Sequence, residues 1–326
     1  MARGINYLFG WKRLSSSGII RFSCKNEATK INASTVFSLD FIDRFSSNSR
    51  SLNLEIHMIS SRNNWLSLAI TFSFFLGVFN ATADQFGTTV ATDWQTWTVF
   101  SQGGGVSDTA EDQTGSGYVK GKVGVWGNGN VSLSGSAIID GDLFYRTTGT
   151  LKISGQAKIT GVRHHDASSD SLLQQSSTEA FMESDQLWAQ PATNTQYTTI
   201  NSSQNFTISG SGHVVLKLTD FVLTGGTLTL QALAPGTTFV FNVSNQFSLS
   251  GTSRIVLSAG LQPSQVIFNV RGTGSDVTLS GNSSFQGILL ANYRNASVSS
   301  GATVNGEVVA NKVSISGSAR LTKASP

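Results

Sequence analysis

This chain of 326 residues holds one cysteine, Cys24, and charged side chains make up only 13% of it. Cys24 lies upstream of the segment that reads as the working protein. The remainder is therefore free of disulfides and of thiolate metal ligands, which excludes a cysteine zinc site. A secreted chain built this way is commoner in bacteria than in animals. Long apolar runs are scarce as well. The one of note, 66–79, is too short for a membrane span. It reads instead as the apolar centre of a secretory signal peptide over 58–83: Met58 opens it, Arg62 supplies the positive charge, and Ala81-Thr82-Ala83 has the small residues of a cleavage site. The expected cut follows Ala83 and leaves Asp84 as the first mature residue. Residues 1–57 carry no period and no repeat, and read as an over-extended start or a disordered leader.

The cut changes what the charge means. The whole chain is +3. Residues 1–83 hold nine of the basic and four of the acidic residues, which leaves 13 and 15 and a net charge of −2. The basic balance belongs to the leader and gives no reason to expect a nucleic-acid partner. No further membrane segment follows, and the chain stops at Pro326 without a sorting signal, so the product is expected outside the cell, released or held at the surface by non-covalent contacts. Its oligomeric state is not legible.

What is plentiful is Gly, Ser, Thr and Asn, the composition of an all-β protein with many tight turns. One phrase recurs: apolar-polar-apolar-Ser-Gly. It reads Val131–Gly135, Leu151–Gly155, Phe206–Gly210, Phe247–Gly251, Val277–Gly281 and Val313–Gly317, with a seventh copy, Ala296–Ser300, that has Ser where the Gly falls. Four copies add a second half ending in Gly: Ile139-Asp140-Gly141, Ile159-Thr160-Gly161, Phe285-Gln286-Gly287 and Val304-Asn305-Gly306. A repeated strand-turn-strand unit predicts a parallel β-solenoid over 119–323. Its apolar positions stack inward in columns, and its glycines sit at corners that need positive φ.

Two segments break the period. Over 168–190, Leu172, Leu173, Ala180, Phe181, Leu187 and Trp188 recur at helical spacing, with Ser168 or Asp170 as the cap and Pro191 as the stop, predicting one amphipathic helix packed along the solenoid. Phe181 and Trp188 read as core contacts. Residues 84–118 read as an N-terminal cap and loop, with Trp94, Trp97 and Phe100 closing the open end of the solenoid. The Gly-rich stretch 102–117 lacks the regular acidic spacing of a calcium loop.

The run Val266–Val270, Val277–Gly281, Phe285–Ala291 resembles the core of the choice-of-anchor A, or collagen-binding-like, domain family, as does Val119–Val125. The continuation Gly301–Ala310 is similar to ice-binding proteins with the DUF3494-type β-solenoid. Both resemblances imply a secreted or surface β-solenoid with a flanking helix, and the second implies binding by a flat face.

The outward positions of the repeat are small hydroxyls: Ser132, Ser154, Ser248, Ser250, Thr278, Ser280, Ser297, Ser299, Ser314 and Ser316, with Ser134, Thr207 and Ser209 completing the candidate face and Lys152 interrupting it. Such an array suits an extracellular polymer, polysaccharide or fibrous protein, and adhesion is the first expectation. The same face suits an ice surface, which is the alternative. It would also arise if the hydroxyls only satisfy one another along the ladder. A carbohydrate-active β-helix enzyme is a further alternative, but it needs clustered carboxylates. Asp140 and Asp142 flank one corner and do not recur one coil on, and His164-His165 reads as a solvent-exposed loop pair. No catalytic residue, metal ligand or cofactor is expected.

Overall fold

Most strands of three residues bury only one or two side chains, too little for a hairpin to stand alone, so they gain stability by stacking. Val131–Leu133 is typical: Val131 and Leu133 are buried and Ser132 between them is partly exposed. In the computed structural model, which describes residues 84–90, 93–103, 111–113 and 115–323 together with an antiparallel strand pair, Phe37–Asp40 with Asn53–Ile56, such strands stack in parallel into a β-solenoid. The strand pair falls in a separate unit, residues 1–75. The signal segment, with Ala83, lies outside the described residues.

Each coil has three faces. Face A carries Val266–Val270 and Val123–Val125, face B carries Val277–Leu279 and Val131–Leu133, and face C carries Arg254–Ser258 and Ile138–Asp140. In two coils a single long strand, His213–Leu223 or Thr238–Leu249, runs through the A–B corner, with a register shift between Leu218 and Asp220.

The coils do not stack in sequence order. The chain joins the stack in its middle at Val99–Ser101 and winds outward to Arg163–His164. A 23-residue helix, α1 (Ala167–Ala189), about 34 Å long at ~1.5 Å per residue, then returns it to the far end. From Ile200–Ser202 it winds back until Thr303–Ala310, Val313–Ile315 and Arg320–Thr322 pair with Val99–Ser101, Glu111–Gln113 and Tyr118–Lys120. The solenoid thus begins before residue 119, and part of the expected loop 102–117 is the strand Glu111–Gln113.

The corner after face B has the backbone the repeat requires. Gly135, Gly251, Gly281 and Gly317 have φ between +64° and +69°, and Ser300, in the copy lacking Gly, is held at +60°. Gly210 is not among the positive-φ glycines, because Phe206–Gly210 is a face C strand paired with Leu228–Ala232. Phe206 and Ile208 therefore leave the column expected for them. The face B column instead runs Ile200, Phe221, Phe247, Val277, Ala296 and Val313. Inside, Phe241 and Phe268 stack at 4.5 Å between centroids and Phe221 and Phe247 at 5.1 Å.

Helix α1 covers face A. Its cap is Asp166, whose carboxylate accepts from Ser169 N at 2.8 Å, rather than Ser168 or Asp170. The hydrogen bonds to Ser168 and Ser169 hold the Asp166 carboxyl down at about 2. Leu173, Ala180 and Leu187 pack on Val215, Val240, Ile267, Leu290 and Val309. Phe181 and Trp188 sit at the helix margin, against Tyr293 and Arg271. Three buried asparagines of face A tie the helix down: Asn242, Asn269 and Asn292 donate to the carbonyls of Leu187, Ser184 and Ala180. Trp94, Trp97 and Phe100 belong to this same cluster and do not close the solenoid end, because Val99–Ser101 lies mid-stack.

The place where the two winding directions meet is clamped by Lys323. Its Nζ bonds to Glu307 Oε1 at 2.8 Å, to Trp97 O at 3.3 Å and to Gln95 O. Burial pushes the Glu307 carboxyl up to about 7, against the pull of Lys323. The folded chain therefore holds a proton that the unfolded chain releases from about pH 4.5 upward. This group's contribution is full below that pH and is lost as pH rises through 7. The unfolding midpoint of Glu307→Gln, followed from pH 5 to 8, is expected to fall less than that of the parent. Parallel curves would contradict this.

Candidate functional site

With face A covered by the helix, only faces B and C present side chains to solvent. The central outward column of face B runs, coil by coil, Asn201, Val222, Ser248, Thr278, Ser297 and Ser314, then, beyond the strand Glu111–Gln113, Ser132 and Lys152. Beside it, where the strand turns into the corner, lie Ser250, Ser280, Ser299, Ser316, Ser134 and Ser154. Their backbone nitrogens continue the ladder, as in Ser280 N to Leu249 O and Ser316 N to Val298 O, both 2.9 Å. Two of the expected residues are elsewhere. Thr207 and Ser209 lie on face C, opposite Thr229 and Gln231, and the Gly210 that ends their strand does not take the positive φ of the face B corner.

Four consecutive coils carry nothing but hydroxyls in both columns: Ser248 and Ser250, Thr278 and Ser280, Ser297 and Ser299, Ser314 and Ser316. Parallel strands set them about 4.8 Å apart along the stack, and alternate positions on one strand are about 6.6 Å apart. All eight are partly exposed. Among the described residues none of these hydroxyls has a protein partner, so they do not satisfy one another along the ladder and are left to water.

Face C is a different surface. It carries Arg254, Lys120, Lys158 and Arg320, and several of its polar groups bond to one another. Tyr118 Oη donates to Asp140 Oδ2 at 2.6 Å and Thr160 Oγ1 to Asp140 Oδ1 at 2.8 Å. Those bonds hold the Asp140 carboxyl below its usual range and the Tyr118 hydroxyl above its own. Arg320 lies over the Tyr118 ring at 5.4 Å. Long hydrated side chains make this face uneven.

Asp140 is a ladder residue, and Asp142 faces His164 at 3.9 Å. The two histidines are not a free loop pair: they extend the aromatic columns of face A, His164 stacking on Phe144 at 4.0 Å and His165 on Tyr145 at 4.2 Å. A cleft of about 560 Å³ at the A–B corner is lined by one carboxylate, Asp276, beside Arg271, Arg294 and Tyr293. One carboxylate cannot supply the acid and base of glycoside cleavage. Among the described residues no three His, Cys, Asp or Glu side chains gather as a metal site, and no described helix is long and apolar enough to cross a membrane.

A β-solenoid with a helix on one face and a regular hydroxyl array on another has the architecture of a protein that presents a surface rather than a pocket. The Ice-binding-like family model matches residues 106–319, and the chain belongs to that family. An ice-binding protein of Flammulina populicola is 36% identical over 91 residues, which are 28% of this chain and 32% of that protein. The match thus spans about a third of that curated relative. Two solved structures share the fold: a glycosylated ice-binding protein from an Arctic yeast (TM-score 0.52, 15% identity, 73% of this chain and 94% of that one) and an ice binding protein from an Antarctic biological consortium (TM-score 0.50, 18% identity, 71% and 88%). These findings overturn adhesion as the first expectation. Of the two resemblances in the sequence, the ice-binding one is supported and the choice-of-anchor A one is not.

Proposed function

We propose that this protein is a secreted ice-binding protein and that face B is the surface that meets ice. The observation that carries the reading is the set of eight hydroxyls on four consecutive coils, without a partner among the described residues and held by a backbone whose strands pair on both sides. Rigid groups at regular spacing lose little conformational entropy on meeting a lattice. They also hold water in an ordered arrangement before contact, so that the first layer is shared between protein and crystal. Face C mixes its small side chains with Arg254, Gln286, Arg320, Lys120 and Lys158 and is less regular, and face A is covered. Family membership and the Flammulina relative support the ligand class. The signal-like segment 58–83 supports secretion. No step of catalysis is part of this role.

Ice adsorption tests it. A fluorescently labelled protein of residues 84–326 is expected to enter a slowly growing ice ball. Exclusion from the ice to the same degree as a labelled serum albumin would reject the proposal.

A further inference from the structure

Asp84 directly follows the expected cleavage site. Its backbone nitrogen donates to Thr88 O at 2.7 Å, and its Oδ1 accepts from Phe86 N at 2.8 Å and Thr88 N at 3.0 Å. Thr88, itself fully buried, donates its hydroxyl to Glu183 Oε2 at 2.6 Å on the inner side of α1. Two carboxylate oxygens at this spot are buried without a partner: Asp84 Oδ2 and Glu183 Oε1. None of the ion pairs among the described residues reaches either acid. The other ionisable groups nearby do not help. Burial pushes His213 down toward the neutral form, and its ring nitrogens face Thr238 and Gln190; Glu179, one helical turn back, accepts from Trp94 N and Gln175. Burial, with the Asp84 charge adding to it, pushes Glu183 up to about 7. Two facing acids without a cation are a costly arrangement.

We infer that the missing cation is the chain's own new α-ammonium, and that removing the leader completes the docking of the N-terminal segment on α1. A leader peptidase adds water across the Ala83–Asp84 amide, giving the Ala83 carboxylate and the Asp84 ammonium. The amide nitrogen offers one N–H, already given to Thr88 O. The ammonium offers two more, one for Asp84 Oδ2 and one for Glu183 Oε1, each bond charge-assisted. Processing thus converts a mutually repelling pair of acids into an ion triad that ties Asp84, Thr88 and Glu183 together.

The inference rests on cleavage after Ala83, so the mass of the secreted product is measured first. A start other than Asp84 would overturn the processing itself. All residues of both apolar cores lie between Phe86 and Leu321, so the chain from Asp84 carries a complete core and is the form to test. Three versions are compared: a free Asp84 amine, the same amine acetylated, and one extra Gly before Asp84. The free form is expected to unfold about 3–6 °C above the other two. Its amine should react with an acylating reagent at pH 7 about tenfold more slowly than that of the Gly-extended form, because its pKa is raised. Both differences should fall by about half or more in Glu183→Gln, which leaves only the Asp84 carboxylate for the ammonium. If that variant does not fold, the Gly extension alone decides. Midpoints within about 1 °C and equal labelling, in protein of confirmed N-terminus, would overturn the pairing.

Discussion

Ser297→Tyr is expected to lower thermal hysteresis by about tenfold or more while leaving the fold intact. Ser297 stands in the central outward column of face B, between Thr278 and Ser314 on the adjacent coils. A phenol ring there rises above the hydroxyl plane and holds the neighbouring coils away from a flat crystal. The backbone cost is small, since an aromatic residue suits a partly exposed strand position, so the unfolding midpoint should stay within about 2 °C of the parent. The control is Thr303→Tyr, an exposed position at the start of a face C strand. It places the same phenol ring on the other open surface and should leave hysteresis unchanged. Equal loss in both variants, or loss only on face C, would remove face B from the account.

The largest effect on stability is expected from Arg294→Ala. Arg294 is 4% exposed, and its guanidinium spends all five N–H donors on backbone carbonyls. Nε reaches Gly272 O at 3.2 Å, Nη1 reaches Ser275 O at 2.9 Å and Asn245 O, and Nη2 reaches Ser244 O at 2.9 Å and Arg271 O at 2.6 Å. These carbonyls belong to the A–B corners of two coils, and the arginine comes from the next, so one side chain pins three. Burial pushes its pKa down, but an arginine so placed keeps its charge. Truncation leaves five carbonyls short of a donor. The expected cost is about 3–5 kcal/mol, a midpoint lower by about 10 °C. Lysine cannot reproduce the planar fork and should recover less than half of the loss. A midpoint for Arg294→Ala within about 2 °C of the parent would show that solvent satisfies the corners equally well.

Much of this was legible. Period-two alternation ending in Ser-Gly marked face B and its corner, because only a left-handed residue turns the chain there, and Ser300 adopts that backbone even without being glycine. The same alternation could not say which of three faces a copy occupies. Phe206–Gly210 matches the phrase yet lies on face C, with Thr207 and Ser209 on the wrong side for the array. Stacking order was also hidden. Parallel backbone pairing carries no address, so nothing in the residues said that Val313–Ile315 would lie beside Glu111–Gln113. Helix docking has a sequence signal of its own: Phe241-Asn242-Val243 and Phe268-Asn269-Val270 place an asparagine inside an apolar run, where a buried amide must find a partner. Arg294 had no such signal, since its partners are carbonyls of distant corners. The ligand was the least legible part, because small hydroxyls in a row suit a polymer as well as a crystal, and family membership rather than the array separates the two.

The measurement that bears most directly on the central claim is thermal hysteresis, with crystal shape, for the unmodified protein of residues 84–326. The account predicts a gap between melting and freezing points and faceted crystals held within it. Round crystals that grow freely at the melting point would contradict it.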